Sequence, residues 1–255
     1  MVFLKGYGVR KIGEPAGIDP DMVFEIASFS KPVASTVVAE VVGRGEVNWD
    51  SRIADLDPAF QLSDPAVTEQ VTARDLFSHR STLPELSGDT LEALGYTRPE
   101  ILSKLRLVPL KGVFRKTYQY SNFGLTEGAL AATRHLRESW EEVSEDLLYS
   151  KLGMNRTSSR FSDYLNRSNR AALHYLDQNG VFRYRYLREA DAESPAGGVS
   201  SSARDLAKWL RLQLAGGVFD GQQIVDSVAV QETHTPPGLP CAGGELCEGS
   251  HLPWQ

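Results

Sequence analysis

The run Ser30-Lys-Pro-Val-Ala-Ser-Thr-Val-Val-Ala-Glu-Val-Val-Gly43 leaves this chain few ways to fold. Val33, Val37, Val38, Val41 and Val42 recur at helical spacing with Ala34 and Ala39 between them, so a helix here is apolar on nearly every face. Such a helix has to be surrounded, which predicts a central, buried element with the rest of the chain packed around it. Pro32 suits its first turn, and Gly43 and Gly45 supply a stop.

The remaining segments are shorter. The opening stretch "MVFLKGYGVRKIG" reads as strands, followed by turns at "EPAGIDPD". Thr72 caps a short helix in "TARDLFSHR", and "DTLEALG" and "RPEILSKLRL" are further helical pieces. Longer helices are expected over about Asn122 to Arg137 and Ser139 to Lys151. "RAALHYLDQNGVFRYRYL" reads as a β-hairpin whose Asn179-Gly180 suits a type I′ turn. A serine-capped helix follows in "SSSARDLAKWLRLQLAGG", with Leu206, Trp209, Leu210 and Leu214 as its apolar face. Strands and helices do not alternate as βαβ units, so the expected class is α+β with a helical insertion rather than a doubly wound sheet.

Composition narrows function. A formal net charge of −6 and the absence of a basic stripe speak against a nucleic-acid partner. The arginines between Arg183 and Arg188 alternate with aromatics as in a half-exposed strand. No stretch approaches the roughly 20 apolar residues of a membrane span. The N-terminus lacks a signal-peptide core, so the chain as written reads as cytoplasmic while its localisation stays open. Cys241 and Cys247, both near the C-terminus, define neither a disulfide framework nor a zinc site. His135 and His174 have no acidic partner at ligand spacing, so no metal is expected.

Chemistry enters at "FEIASFSKPVAST", the only Ser-x-x-Lys of the chain. A serine hydroxyl is a poor nucleophile until a neighbour takes its proton. Residues three apart at a helix start share a face, so Lys31 can reach back to the Ser28 hydroxyl. By itself the motif also fits a capping serine, Ser28 or Ser30, beside a solvated lysine.

Around this motif the sequence resembles the serine β-lactamase and penicillin-binding-protein superfamily, in its class C β-lactamase, carboxylesterase and D-aminopeptidase branch. The similarity runs in order through "FEIASFSKPVAST", "ARDLFSHRSTLPE", "YQYSNFGL", "SKLGMNRTS" and "SPAGGVSSSARDLAKWL". The resemblance implies a β-lactamase/transpeptidase-like domain over 1–235, with an incomplete antiparallel sheet and a mainly helical region at about 50–165. Residues 236–255 form an irregular tail outside the match.

It further implies Ser28 as acylated nucleophile, Lys31 as proton acceptor or electrostatic partner, Tyr120 as proton shuttle and Asn122 as a hydrogen-bond donor to the substrate amide. The acylation base stays open. No cofactor or metal is implied. The substrate is a small ester, peptide or β-lactam. Tyr164-Leu-Asn166 is a second Tyr-x-Asn, and segment order assigns the role to Tyr120, with Tyr164 on a surface loop. His79 is expected to be structural, and Gly197 and Gly198 to permit a chain reversal.

The match departs from the pattern in three places. Neither Lys-Thr-Gly nor His-x-Gly, the third motif of relatives, occurs in the sequence. Loss of the oxyanion donor on that strand costs on the order of 3–4 kcal/mol, so an impaired enzyme, an inactive homologue and a peptide-binding module all fit. The expectation is a core truncated at both ends, able to self-associate through uncovered sheet edges. Arg80 and Thr82 replace the usual Thr and Gly, which predicts an altered local turn.

Overall fold

In a computed structural model, residues 3–237 are described. Helix α1 (Ser30–Gly43) is the centre, and Val33, Val37, Val38, Ala39 and Val41 are fully buried. Trp140, Leu148, Phe123, Ala129 and Ala132 belong to the same core. The helix could not survive in any other position, because no face of it carries enough polar groups to meet water.

Short helices between Ile53 and Asn166 pack around it. Thr72 caps the Ala73–Phe77 helix, as the sequence predicts, and Asp75 completes a reciprocal capping box with it. The Asn122–Thr133 helix lies close against that helix at Gly128, where an added Cβ would come within 3.2 Å of Leu76.

The strands are few. Strand β1 (Val23–Glu25) is followed by the hairpin strands β2 (Leu173–Leu176) and β3 (Phe182–Tyr186), by β4 (Ser200–Ser202), and by the two-residue strands β5 (Val218–Phe219) and β6 (Gln222–Gln223). They pair as β1–β4, β2–β3 and β5–β6, all antiparallel. The β1–β4 pair matters most, because β1 leads into α1 and the chain just before β4 lies across the same end of that helix. The amide of Ile26 donates to Val199 O at 3.0 Å and extends this ladder toward α1.

Three local expectations are corrected. Among the described residues, 3–22 form no strand, only a Val9–Gly17 bridge. Phe3, Tyr7, Val9 and Ile12 are exposed there, so no neighbouring face rewards a strand-like alternation. The hairpin turn is not type I′, because only Gly180 has positive φ (74°). Gly180 N donates to Asp177 O, and Asp177 N to Val181 O, as in a turn closed by a glycine bulge.

Helix Ala203–Leu214 is capped by Ser202 as expected, yet Leu210 and Leu214 are exposed while Asp205, Trp209 and Leu212 are buried. The Asp205 carboxylate accepts from Arg156 N and Thr157 Oγ1, and Trp209 Nε1 donates to Thr36 Oγ1 of α1, which fixes the helix in that rotation. Neither Gly197 nor Gly198 has positive φ; they are glycines because a Cβ would strike Glu193 Oε1 at 2.7 Å or Ala190 O at 2.8 Å. Most of the predicted tail, with Cys241 and Cys247, lies outside the described residues.

Candidate active site

Between β1 and α1 the chain makes one turn of 3-10 helix, Ala27–Phe29. Ala27 enters it with φ of 47°, a region that L-residues avoid, and it is held there by neighbours on both sides. Ser30 Oγ donates to Ala27 O at 2.6 Å and accepts from Val199 N at 3.0 Å. Neither Ser28 nor Ser30 therefore caps α1, and the Ser28 hydroxyl stands exposed at the helix start.

Lys31, one turn on, is buried to 8% exposure. Its ammonium has three hydrogens and three acceptors: Ser28 Oγ at 3.1 Å, Asn122 Oδ1 at 2.7 Å and Ala196 O at 2.9 Å. Tyr120 Oη donates to Ser28 Oγ at 2.7 Å, and Lys31 Nζ lies 4.6 Å from the centroid of the Tyr120 ring. The four residues singled out by sequence thus meet within one hydrogen-bonded cluster.

The Tyr-x-Asn spacing has a local cause. Ser121 is extended (φ −135°, ψ 118°) and is the N-cap of the Asn122–Thr133 helix, its Oγ accepting from Gly124 N. An extended residue sends its two neighbours to the same side, so Tyr120 and Asn122 both face Lys31 while Ser121 is buried behind them. Tyr164 is handled differently. It is not on a surface loop but buried to 1% exposure on the Phe161–Asn166 helix, with its hydroxyl donating to Ala171 O at 2.5 Å. Asn166 ends a helix, so this second Tyr-x-Asn does not repeat the geometry of the first.

His79 is buried behind the cluster. Its Nδ1 accepts from Ser121 N at 3.2 Å, and burial, with Lys31 nearby, pushes its pKa down to about 3. It has φ of 58°, and Thr82 has φ of 67°. A left-handed backbone at 82 is the conformation in which glycine is most at ease, so threonine occupies this turn under strain.

Sequence reasoning missed three contributors. Asp89 Oδ1 accepts from Asn122 Nδ2 at 2.7 Å. The carbonyl of Ala196 holds Lys31, and no side-chain pattern announces a carbonyl. Arg188, read as part of a strand-like run, turns inward onto Glu92 at 3.0 Å and onto Glu193. Glu193 is pushed up to about 7 by burial and by Glu92, against the opposing pull of Arg188. His135 acquires an acidic partner, Glu46, at 3.0 Å, from far along the chain. Among the described residues no three His, Cys, Asp or Glu side chains converge as a metal-ligand set. A cavity of about 1010 Å³ lies elsewhere, lined by paired charges such as Arg74, Asp75, Arg115 and Glu232, and includes none of Ser28, Lys31, Tyr120 and Asn122.

Comparison with known proteins extends over most of the chain. The profile of the Beta-lactamase family matches residues 1–249. The sequence is 28% identical over 227 residues to Beta-lactamase-like protein 4 of Dictyostelium discoideum, covering 82% of this chain and 39% of that protein. It is 24% identical over 219 residues to the unguisins hydrolase of Aspergillus violaceofuscus, covering 81% and 39%. To penicillin-binding protein 4 of Amycolatopsis lactamdurans it is 25% identical over 240 residues, covering 87% and 59%. The chain therefore spans about two to three fifths of the length of these relatives. The fold is similar to that of the octameric penicillin-binding protein homologue from Pyrococcus abyssi, with a TM-score of 0.76 at 22% identity over 96% of this chain and 56% of that one.

Proposed function

The chain belongs to the Beta-lactamase family, and from that premise we propose that residues 1–235 act as a serine hydrolase that forms a covalent acyl-enzyme on an ester, amide or β-lactam carbonyl. One observation carries the reading: Lys31 Nζ and Tyr120 Oη, from separate parts of the chain, both reach the exposed Ser28 Oγ within 3.1 Å. A serine that merely caps a helix has no use for a buried ammonium and a phenol at its oxygen.

The chemistry follows from those contacts. As arranged, Ser28 Oγ accepts from both partners, so the Lys31–Tyr120 pair can serve as base only once one of the two has given up a proton. The pair then accepts the Ser28 hydroxyl proton as Oγ bonds to the substrate carbonyl carbon. Collapse of the tetrahedral adduct expels the alcohol or amine, which takes the proton, and leaves Ser28 acylated. Water attack reverses the sequence: it gives up a proton to the pair, and Ser28 recovers its own when the acyl group leaves. Asn122 Nδ2 has two hydrogens and Asp89 occupies one, which leaves the other for a substrate carbonyl.

One relative named as a hydrolase and another named as a penicillin-binding protein support the reading of a hydrolase whose serine is open to a β-lactam. Among the described residues no helix is long and apolar enough to cross a membrane. Self-association is the second part of the proposal: Phe182 and Tyr184 of the β2–β3 hairpin are exposed, and sedimentation at several concentrations tests it.

The deciding experiment is intact mass after incubation with a β-lactam panel and a nitrophenyl ester. An adduct on the wild type that Ser28→Ala abolishes is the expected result. A folded wild type that binds these compounds without an adduct, unchanged by Ser28→Ala, replaces the hydrolase with a binding module.

A further inference from the structure

Asn122 lies between two groups of opposite kind. Lys31 can only donate and an ionised carboxylate can only accept, so an amide placed between them has a single orientation, Oδ1 toward Lys31 and Nδ2 toward Asp89. Among the described residues these are the two partners of the Asn122 side chain.

We propose that Asp89 is a positioning residue of the active site, locking the Asn122 amide so that Lys31 keeps its acceptor and one Nδ2 hydrogen stays directed to substrate. The proposal rests on the reading of Ser28 as the acylated nucleophile, and concerns a residue that touches neither Ser28 nor the reacting carbonyl.

The placement of Asp89 is built into the fold. It opens the short Asp89–Ala93 helix directly after Gly88, whose φ is 100°. A Cβ on Gly88 would come within 2.6 Å of Phe123 and 2.7 Å of Ile101, so the backbone is pressed against the residue following Asn122. That contact brings Asp89 to the amide at 2.7 Å and leaves its Oδ1 no need of water. Its second oxygen, Oδ2, is buried and has no hydrogen-bond partner among the described residues. A carboxylate held this way loses hydration and regains it only through Asn122, which is the mark of a side chain retained for its partner's orientation rather than for helix stability.

Without the carboxylate, Lys31 still holds Oδ1, but nothing anchors the Nδ2 end, so the amide plane swings about the Lys31 contact and its free hydrogen is no longer directed to substrate. A misplacement on the scale of one ångström at a reacting group lowers rate by up to about 100-fold.

The test uses the full chain with Asp89→Ala, Asp89→Asn and Asp89→Ser. Asparagine still accepts from Nδ2 without the charge; serine keeps a polar residue at the helix start but withdraws the acceptor, which covers the case in which the alanine variant fails to fold. The first readout is the Asn122 side-chain amide signal in a proton–nitrogen spectrum, assigned by its disappearance in Asn122→Asp. Its hydrogen-bonded proton is expected to move upfield in Asp89→Ala and Asp89→Ser and to stay near its wild-type position in Asp89→Asn.

The second readout is nitrophenyl ester turnover. In the alanine and serine variants kcat is expected to fall about 10- to 100-fold with KM within about threefold, and Asp89→Asn to recover most of it. An Asn122 signal that does not move in folded Asp89→Ala or Asp89→Ser overturns the proposal, as does undiminished kcat. If the wild type forms no adduct the hydrolase reading fails, while the amide signal still decides whether Asp89 orients Asn122.

Discussion

The imidazole of His79 lies against the ring of Tyr120, with centroids 4.6 Å apart and planes inclined by 38°, while its Nδ1 holds the backbone amide of Ser121. One buried side chain thus supports both sides of the Tyr120-Ser121-Asn122 segment. Because burial pushes its pKa down to about 3, the ring is neutral near pH 7.

His79→Ala is therefore expected to leave the Ser121 amide without a partner, at a cost of about 1–3 kcal/mol in urea unfolding at pH 7, and to slow acylation by loosening Tyr120. The sign of the pH effect follows from the depressed pKa: the contribution of His79 is fully present above about pH 6.5 and is lost as pH falls toward 3. The stability gap between wild type and variant should narrow from pH 7 to pH 5. A gap that widens on acidification would show that His79 is charged in the folded protein.

The two tyrosines of the two Tyr-x-Asn sequences should respond oppositely. Tyr120→Phe removes the hydroxyl at Ser28 and is expected to lower the acylation rate by about 100- to 10,000-fold with little change in stability. Tyr164→Phe orphans the Ala171 carbonyl and should cost about 1–2 kcal/mol of stability while acylation is unaffected. Stopped-flow acylation and urea titration of both variants separate these roles.

Glu127 is 2% exposed in the middle of the Asn122–Thr133 helix, with Oε1 unpartnered among the described residues, and burial pushes it up to about 8. A carboxyl raised in the folded state stabilises below its ordinary value near 4.5, and that stability is lost as pH rises through about 8. Glu127→Gln should match wild type at pH 5 and exceed it at pH 9 by on the order of 2–4 kcal/mol. Glu25 and Glu193, both pushed up to about 7, steepen the same decline, so the substitution flattens the pH–stability curve without abolishing it. Equal stability of the two proteins at pH 9 would place Glu127 in contact with water.

Gly88→Ala is expected to destabilise by about 2–4 kcal/mol, because the new Cβ meets Phe123 and Ile101 and the backbone is left-handed there. Thermal and urea unfolding measure it. A neutral result would mean that the Asp89–Ala93 helix is not held against the Asn122–Thr133 helix.

What could be read from sequence was whatever local pattern controls. The valine repeat of α1 requires burial wherever the helix sits, Thr72 and Ser202 cap the helices that begin after them, and Ser28, Lys31, Tyr120 and Asn122 stand in ordered motifs. The opening residues up to Gly13 form no strand, although apolar and aromatic residues alternate there, because alternation predicts a strand only where a neighbouring strand and a buried face exist to reward it, and Phe3, Tyr7, Val9 and Ile12 are exposed. Leu210 and Leu214 were misread because the rotation of their helix is set by Asp205 and Trp209, whose partners lie on other elements.

Asp89, Ala196 and Arg188 belong to the class that sequence cannot reach. Asp89 is one acidic residue among many until Gly88 presses it against Phe123, and Ala196 contributes a carbonyl that every residue possesses. The central helix, the Ser-x-x-Lys motif and the order of the segments around the candidate site are legible along the chain, because these depend on spacing within one stretch of it. What each polar group of the site faces is set by packing and not by proximity along the chain, because its partners stand up to 169 residues away, as Val199 does from Ser30.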